Sequence, residues 1–257
     1  MWHQIKSYFN FFLKSNNQHG IHSPFVYDLI TKCFYDKSYY PEYDKISKYR
    51  NTVFKENKEI EITDFGAGSR VFKSNKRKVS AIAKNAGITL KRQKLLFRII
   101  RYFNSESTLE LGTSLGLGTS TMSFSNPSSN INTVEGCPNT SKIAQAFFDN
   151  FNLKNINLHS ETFEDFFNKN PSDTYDLIYV DGNHDKESTL QYFKILLERV
   201  NNNSVIIFDD IYWSSEMTEA WQEICHHPKV SVSIDTFYWG FVFFRKEQEK
   251  EHFTIRL

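Results

Sequence analysis

Three glycines, Gly112, Gly116 and Gly118, follow the apolar run Ser107–Leu111 and precede a helical pattern. Glycine adopts backbone angles that other residues resist, and it lets a ligand approach the main chain closely. At the end of a buried parallel strand, such a turn is where a nucleotide-like cofactor docks. The spacing is Gly-x-x-x-Gly-x-Gly, not the Gly-x-Gly-x-x-Gly of dinucleotide folds. A phosphate-binding loop would need Gly-Lys-Ser/Thr, and no basic residue follows here. An adenosine without pyrophosphate fits better. The next apolar run, Ile131–Glu135, ends in a carboxylate able to accept both ribose hydroxyls. Gly136 and Pro138 behind it favour a turn into a pocket. Farther on, Ser160-Glu161-Thr162 follows a third strand, where a loop can cover an adenine ring. The bland alternatives are a glycine turn that holds nothing and a solvated strand-end charge.

These residues need a sheet to bring them together. Seven short runs rich in Val, Ile and aromatics read as strands: Ser107–Leu111, Ile131–Glu135, Asn155–His159, Asp176–Asp181, Ser204–Asp209, Val230–Asp235 and Tyr238–Phe244. Most are apolar enough to be buried on both faces, as in a parallel sheet covered by helices. Between them Ile143, Phe147 and Phe151 recur at helical spacing. So do Leu190, Phe193, Leu197 and Val200, then Met217, Ala220, Trp221 and Ile224, with Asn139, Thr140, Ser214 and Ser215 as caps. The alternation predicts an α/β fold with a doubly wound, seven-stranded, mainly parallel sheet. Only Thr236 and Phe237 separate the last two strands, so these must form an antiparallel hairpin. Residues 1–104 read as a helical N-terminal extension and 105–257 as the core. Within the extension Tyr27–Phe34 and Tyr43–Phe54 are helical. Thr89 caps a helix that buries Leu95, Leu96, Ile99, Ile100 and Phe103, and Lys73–Lys78 is compatible with a linker.

The order of elements and the glycine turn resemble the class I S-adenosylmethionine-dependent methyltransferases. Glu135 stands where their ribose-binding acid stands. Tyr179-Val-Asp181-Gly-Asn-His184 and Ile206-Ile-Phe-Asp209-Asp210 look like the small-molecule O-methyltransferases of the catechol, caffeoyl-CoA or sugar-modifying type. The resemblance covers roughly 90–245. It implies S-adenosylmethionine bound by Glu110, Gly112, Ser114, Gly116, Glu135, Gly136, Ser160, Glu161 and Asp181. It also implies a small hydroxylated acceptor. In the catechol type, acids at the ends of the fourth and fifth strands hold a divalent cation such as Mg²⁺. That role falls here on Asp181, Asp209 and Asp210, with Asp210 departing from the amide of that pattern. Three carboxylates on one sheet edge repel unless a cation, an amine or a proton intervenes, and a metal-free site is the open alternative. A general base sits at the position of His184. An imidazole with a pKa of ~6.5 can accept a hydroxyl proton; the bland reading is a histidine that packs at a helix start.

The net charge of +1 excludes a strongly basic nucleic-acid coat over the whole chain. It hides a segregation. No acid lies between Asp64 and Glu106, a stretch with eleven basic residues, leaving 20 basic against 30 acidic elsewhere. The rival functions follow: a methyltransferase docking RNA or protein through the basic 70–101 segment, or a noncatalytic adenosine-binding module. A solvated helix face is the bland reading of that segment, and an anionic acceptor the sharper one. DNA is not expected, because no Asn/Asp-Pro-Pro-Tyr-like motif follows the fourth strand. Cys33, Cys137 and Cys225 form neither a disulfide framework nor a zinc pattern. No apolar run is long enough to span a bilayer, and a cytoplasmic protein is expected. Asp64–Arg70 reads as a loop folding over the site and His22 as a substrate-cap candidate. Trp2, Tyr8, Phe9, Phe11 and Phe12 are expected to pack on the domain or a homodimer partner. No basic polar face accompanies them to favour a membrane.

Overall fold

The structure is a computed structural model that describes residues 2–63 and 74–257. In chain order the first elements are α1 (Trp2–Lys14), α2 (Pro24–Leu29), α3 (Glu42–Lys55), β1 (Glu59–Glu61), β2 (Lys76–Lys78), α4 (Val79–Ala86) and α5 (Leu90–Phe103). Then come β3 (Ser107–Leu111), α6 (Leu117–Ser125), β4 (Asn130–Val134), α7 (Pro138–Asn150), β5 (Ile156–His159) and α8 (Phe163–Lys169). The last are β6 (Leu177–Val180), α9 (Lys186–Leu196), β7 (Val205–Asp209), α10 (Ser215–His226), β8 (Val232–Asp235), β9 (Trp239–Phe243) and β10 (Glu251–Thr254). The chain divides into two compact units, Asp36–Pro171 and Met1–Tyr35 with Ser172–Leu257. This division cuts across the expected boundary at 104/105.

In Asp36–Pro171, β3, β4 and β5 run parallel, with Glu110 opposite Thr133 and Val134 opposite His159. Helix α5 is capped by Thr89, whose Oγ1 accepts the Arg92 amide at 3.3 Å. It ends at Asn104, which takes the left-handed conformation with φ 48°. Its buried face is Leu95, Leu96, Phe97, Ile99 and Ile100, with Phe103 only half-buried. Two basic residues of this helix, Lys94 and Arg101, lie along aromatic rings. Lys94 Nζ sits 4.9 Å from the Tyr43 centroid, and the Arg101 guanidinium sits 5.3 Å from Tyr40 and 5.6 Å from Phe97. Long cationic stems covering apolar surface give these two charges a role that needs no ligand. Within the region expected to be helices and loops, β1 and β2 pair antiparallel, with Ile60 opposite Arg77. The expected linker is therefore partly a strand. Asp64–Arg70, and Arg70 and Lys73 of the basic segment, lie outside the described residues.

In the other unit, β6 and β7 are parallel, β7 and β9 antiparallel, and β8 and β9 form the expected antiparallel hairpin. β6, β7, β8 and β9 are buried along their whole length, which explains their unbroken apolar runs. The sheet has eight strands, not seven. The eighth, β10, lies parallel to β8, with His252 opposite Ser233. Its sequence Glu-His-Phe-Thr buries only Phe253, so it carries no apolar run to read. Helix α10 starts behind Ser214 as expected, whereas α7 starts at Pro138 behind Cys137, so the expected caps Asn139 and Thr140 lie within its first turn. Proline at the first helical position needs no amide partner there. No described helix is long and apolar enough to cross a membrane.

Candidate active site

The glycine turn leaves β3 with three left-handed residues: Gly112 at φ 107°, Ser114 at 48° and Gly116 at 73°. Gly112 and Thr113 donate their amides to Val134 O at 3.0 and 3.2 Å, which ties the turn to the end of β4. At Gly116 glycine is required twice over. Its φ suits no other side chain well, and a Cβ there would fall 2.3 Å from the Phe148 ring and 2.7 Å from Tyr49 Oη. Tyr49, wholly buried on α3, donates to Leu115 O at 3.0 Å. Gln93, also buried, donates to Leu117 O and Thr121 Oγ1 at 2.9 and 3.0 Å. The turn is thus braced from beneath by side chains that the sequence reading did not select.

Glu135 closes the turn from β4. Its carboxylate accepts the Ser114 amide on Oε2 at 2.8 Å and the Cys137 amide on Oε1 at 2.9 Å. A carboxylate has about four acceptor positions, so two amide bonds fix its orientation and still allow it to bind hydroxyls. Glu110 is different. It is buried within β3, accepting hydrogen bonds from Thr119 Oγ1 and, at 2.6 Å, Thr133 Oγ1. Burial raises its pKa to about 7; the two threonine hydroxyls oppose the rise and Glu135 adds to it. Glu110 therefore acts from inside the turn, linking α6 to β4. Gly136 separates Glu135 from the start of α7. Ser160 is exposed, and Glu161 pairs with Lys169 and lies 3.7 Å from His159 Nδ1. Thr162 caps α8 through the Asp165 amide.

The second cluster belongs to the other unit. Asp181 follows β6, and Asp209 ends β7. Tyr179 Oη lies 2.7 Å from Asp209 Oδ2 and 3.2 Å from Asp181 Oδ2. A phenol has one proton, so the shorter contact is the donated one. Asp209 Oδ1 accepts the Asp210 amide at 2.8 Å, and Asp210 itself is left-handed at φ 53°. His184 Nε2 lies 3.8 Å from Asp181 Oδ1 and its ring packs 5.9 Å from Trp213. Burial lowers its pKa below the usual histidine value, partly opposed by Asp209. Asn183, at φ 52°, and the Asp185 cap of α9 place this histidine outside the helix, not at its first residue.

The expected metal ligands are Asp181, Asp209 and Asp210. Among the described residues no three His, Cys, Asp or Glu side chains are arranged to hold a metal ion. Asp209 turns one oxygen to the Tyr179 hydroxyl and the other to the Asp210 amide. Tyr179 was missed because it reads as one more apolar strand residue. Its position two before Asp181 puts both on one face of the strand, a signal that was available. His22 stays exposed. The Ser-Pro-Phe after it has a structural role, with Ser23 capping α2 and Phe25 packing 5.0 Å from Phe243.

Residues 109–211 match the family model described as a methyltransferase domain. No curated protein matches the sequence. Among solved structures the chain resembles the SAH-bound methyltransferase PaMTH1 of Podospora anserina. The TM-score is 0.58 at 13% identity, over 82% of this chain and 99% of that one. It also resembles the O-methyltransferase of Bacillus cereus in complex with SAH (0.55, 15%, 84% and 94%). A third is the O-methyltransferase TomG of Streptomyces achromogenes, involved in tomaymycin synthesis, in complex with SAM (0.54, 15%, 63% and 82%). Residues 109–211 are thus similar to a methyltransferase domain, and the chain shares the fold of these methyltransferase structures.

Proposed function

We propose that the protein is an S-adenosylmethionine-dependent O-methyltransferase acting on a small hydroxylated acceptor. The observation that carries this reading is the pair of amides, Ser114 and Cys137, that lock the Glu135 carboxylate beside the glycine turn. Glu135 would hold the ribose hydroxyls, and the turn from Gly112 to Gly116 would accept the close approach of the rest of the cofactor. When bound, S-adenosylmethionine supplies a methyl group activated on a sulfonium. The protein's own part is to align the acceptor oxygen and remove its proton. His184 has the side chain for that removal. Its lowered pKa keeps the imidazole neutral at physiological pH, and Asp181 stabilises the imidazolium that forms. Asp209 is held by Tyr179 and the Asp210 amide, and no step is assigned to a metal.

The three relatives named above are described as bound to SAM or SAH, and two of them as O-methyltransferases, which supports the cofactor and the reaction class. The RNA, protein and noncatalytic readings are not favoured. Lys94 and Arg101 are committed to aromatic faces. An anionic acceptor and a substrate-cap role for residues 1–104 belong to the same proposal. So does a cytoplasmic location, which suits three free cysteines. The test is direct. S-adenosylmethionine and its demethylated product should each raise the melting temperature, whereas NADH should not. Labelled methyl should then appear on a hydroxyl of a metabolite fraction. No shift with either sulfur compound at saturation rejects the reading.

A further inference from the structure

Helix α1 is turned the wrong way for a helix that stabilises its own domain. It buries Ser7 and Phe11, with Phe11 and Tyr8 against Phe237 at 5.6 and 4.9 Å and His3 Nε2 3.0 Å from Thr218 Oγ1. The opposite face is apolar. Trp2 is 87% exposed, Ile5 55%, Phe9 67% and Leu13 71%, with Phe12 beside them. Positions 2, 5, 9, 12 and 13 fall on one stripe of a helix. A soluble domain seldom leaves so many large side chains contiguous without an occupant.

Charge indicates which occupant. No acidic residue lies between Trp2 and Tyr27, while Lys6 and Lys14 lie on the same helix with no ion pair among the described residues. The Arg256 guanidinium stacks 4.5 Å over Phe12. The acid that the helix does meet, Glu216, interacts with His3 on the buried side. Two copies of this stripe packed together would therefore gather cations with no acids to pair them, which costs energy. An anionic lipid surface meets both needs. It accepts Trp, Phe, Ile and Leu at the headgroup boundary and attracts lysine and arginine at the rim.

We propose that the outward face of α1 seats the protein on an anionic membrane surface, as a peripheral contact with α1 lying in the plane of the headgroups. Lys6, Lys14 and Arg256 around the stripe supply the basic face that the sequence pattern of the aromatics alone lacks. This inference is independent of the methyl-transfer reading.

The test is flotation of the full chain with vesicles of phosphatidylglycerol and phosphatidylethanolamine, compared with phosphatidylcholine alone. Wild type should float with the anionic vesicles, with affinity falling as salt rises. Phe9→Glu should lose more than about tenfold in affinity. Lys6→Gln should lose about fivefold, the share of one cation near an anionic surface. Both positions are exposed, so melting temperature and S-adenosylmethionine affinity should not change. Wild type that fails to float with either vesicle overturns the proposal. If it also sediments as a dimer that Phe9→Glu dissociates, the occupant is a second copy. Equal binding of wild type and Phe9→Glu overturns the role of α1.

Discussion

In the Asp36–Pro171 unit, each acid near the glycine turn is gripped by short bonds from fixed donors. Glu135 holds two backbone amides below 3 Å, and Glu110 holds two threonine hydroxyls. In the unit of Met1–Tyr35 and Ser172–Leu257 the contacts are longer at the group proposed to react: 3.2 Å from Tyr179 to Asp181 and 3.8 Å from Asp181 to His184. Left-handed residues occur in both, but for different ends. Gly112, Ser114 and Gly116 shape a backbone cradle, whereas Asn183 and Asp210 aim side chains at strand ends. A binding site gains from rigidity set by the main chain. A base must take up and release a proton, so looser, partly desolvated contacts suit it.

The largest effect that would break this contrast is at His184. His184→Gln should lower turnover by about 10² to 10⁴ while leaving S-adenosylmethionine affinity unchanged. In wild type the acid limb of kcat/KM should fall below the ordinary histidine range, because activity needs the neutral imidazole and burial lowers its pKa. Full turnover in the variant would remove His184 as the base. Next comes Gly116→Ala, where a left-handed alanine and a clash with Phe148 together cost about 3 kcal/mol. The melting temperature should drop by roughly 5–10 °C and cofactor affinity with it. A variant as stable as wild type would mean that the turn is not braced from beneath. Glu135→Ala should weaken S-adenosylmethionine roughly a hundredfold by calorimetry, since a charged acceptor of two hydroxyls is lost, with little change in kcat at saturation. A fall in kcat at unchanged affinity would reverse the assignment of binding and chemistry to the two sets.

The same contrast explains what could be read in the sequence. The parallel strands were legible because burial on both faces forces unbroken apolar runs, as in Val205–Asp209 and Trp239–Phe243. The glycine turn was legible because Gly116 admits no substitute. The edge strand Glu251–Thr254 was not, since one buried Phe253 makes no pattern. Nor were Tyr49 and Gln93, whose roles depend on partners 66 and 24 residues away. Asp181, Asp209 and Asp210 share a sheet edge in the sequence pattern, yet Asp209 is turned to a phenol and an amide, and the trio makes no metal cluster among the described residues. Glu110 reads in the sequence as one of the acids near a strand end, and its side chain is buried.

That buried acid supplies the smallest and most specific test. Glu110 binds its proton more tightly in the folded protein, with a pKa of about 7, than in the unfolded chain near 4.5. As pH rises through that window the unfolded state releases its proton first, so Glu110 makes the folded state progressively less stable, and the loss levels off above pH 7. From pH 5 to 7 its share is roughly 2 kcal/mol. Glu110→Gln keeps an acceptor for the threonines and removes the titration. Melting measured across this range should therefore decline less with pH in the variant than in wild type, and the two curves should converge toward acid pH apart from a constant offset. Parallel curves would mean that Glu110 ionises as easily inside the turn as in water. The short bonds from Thr119 and Thr133 would then outweigh its burial, and the grip that distinguishes this unit would be stronger than its geometry implies.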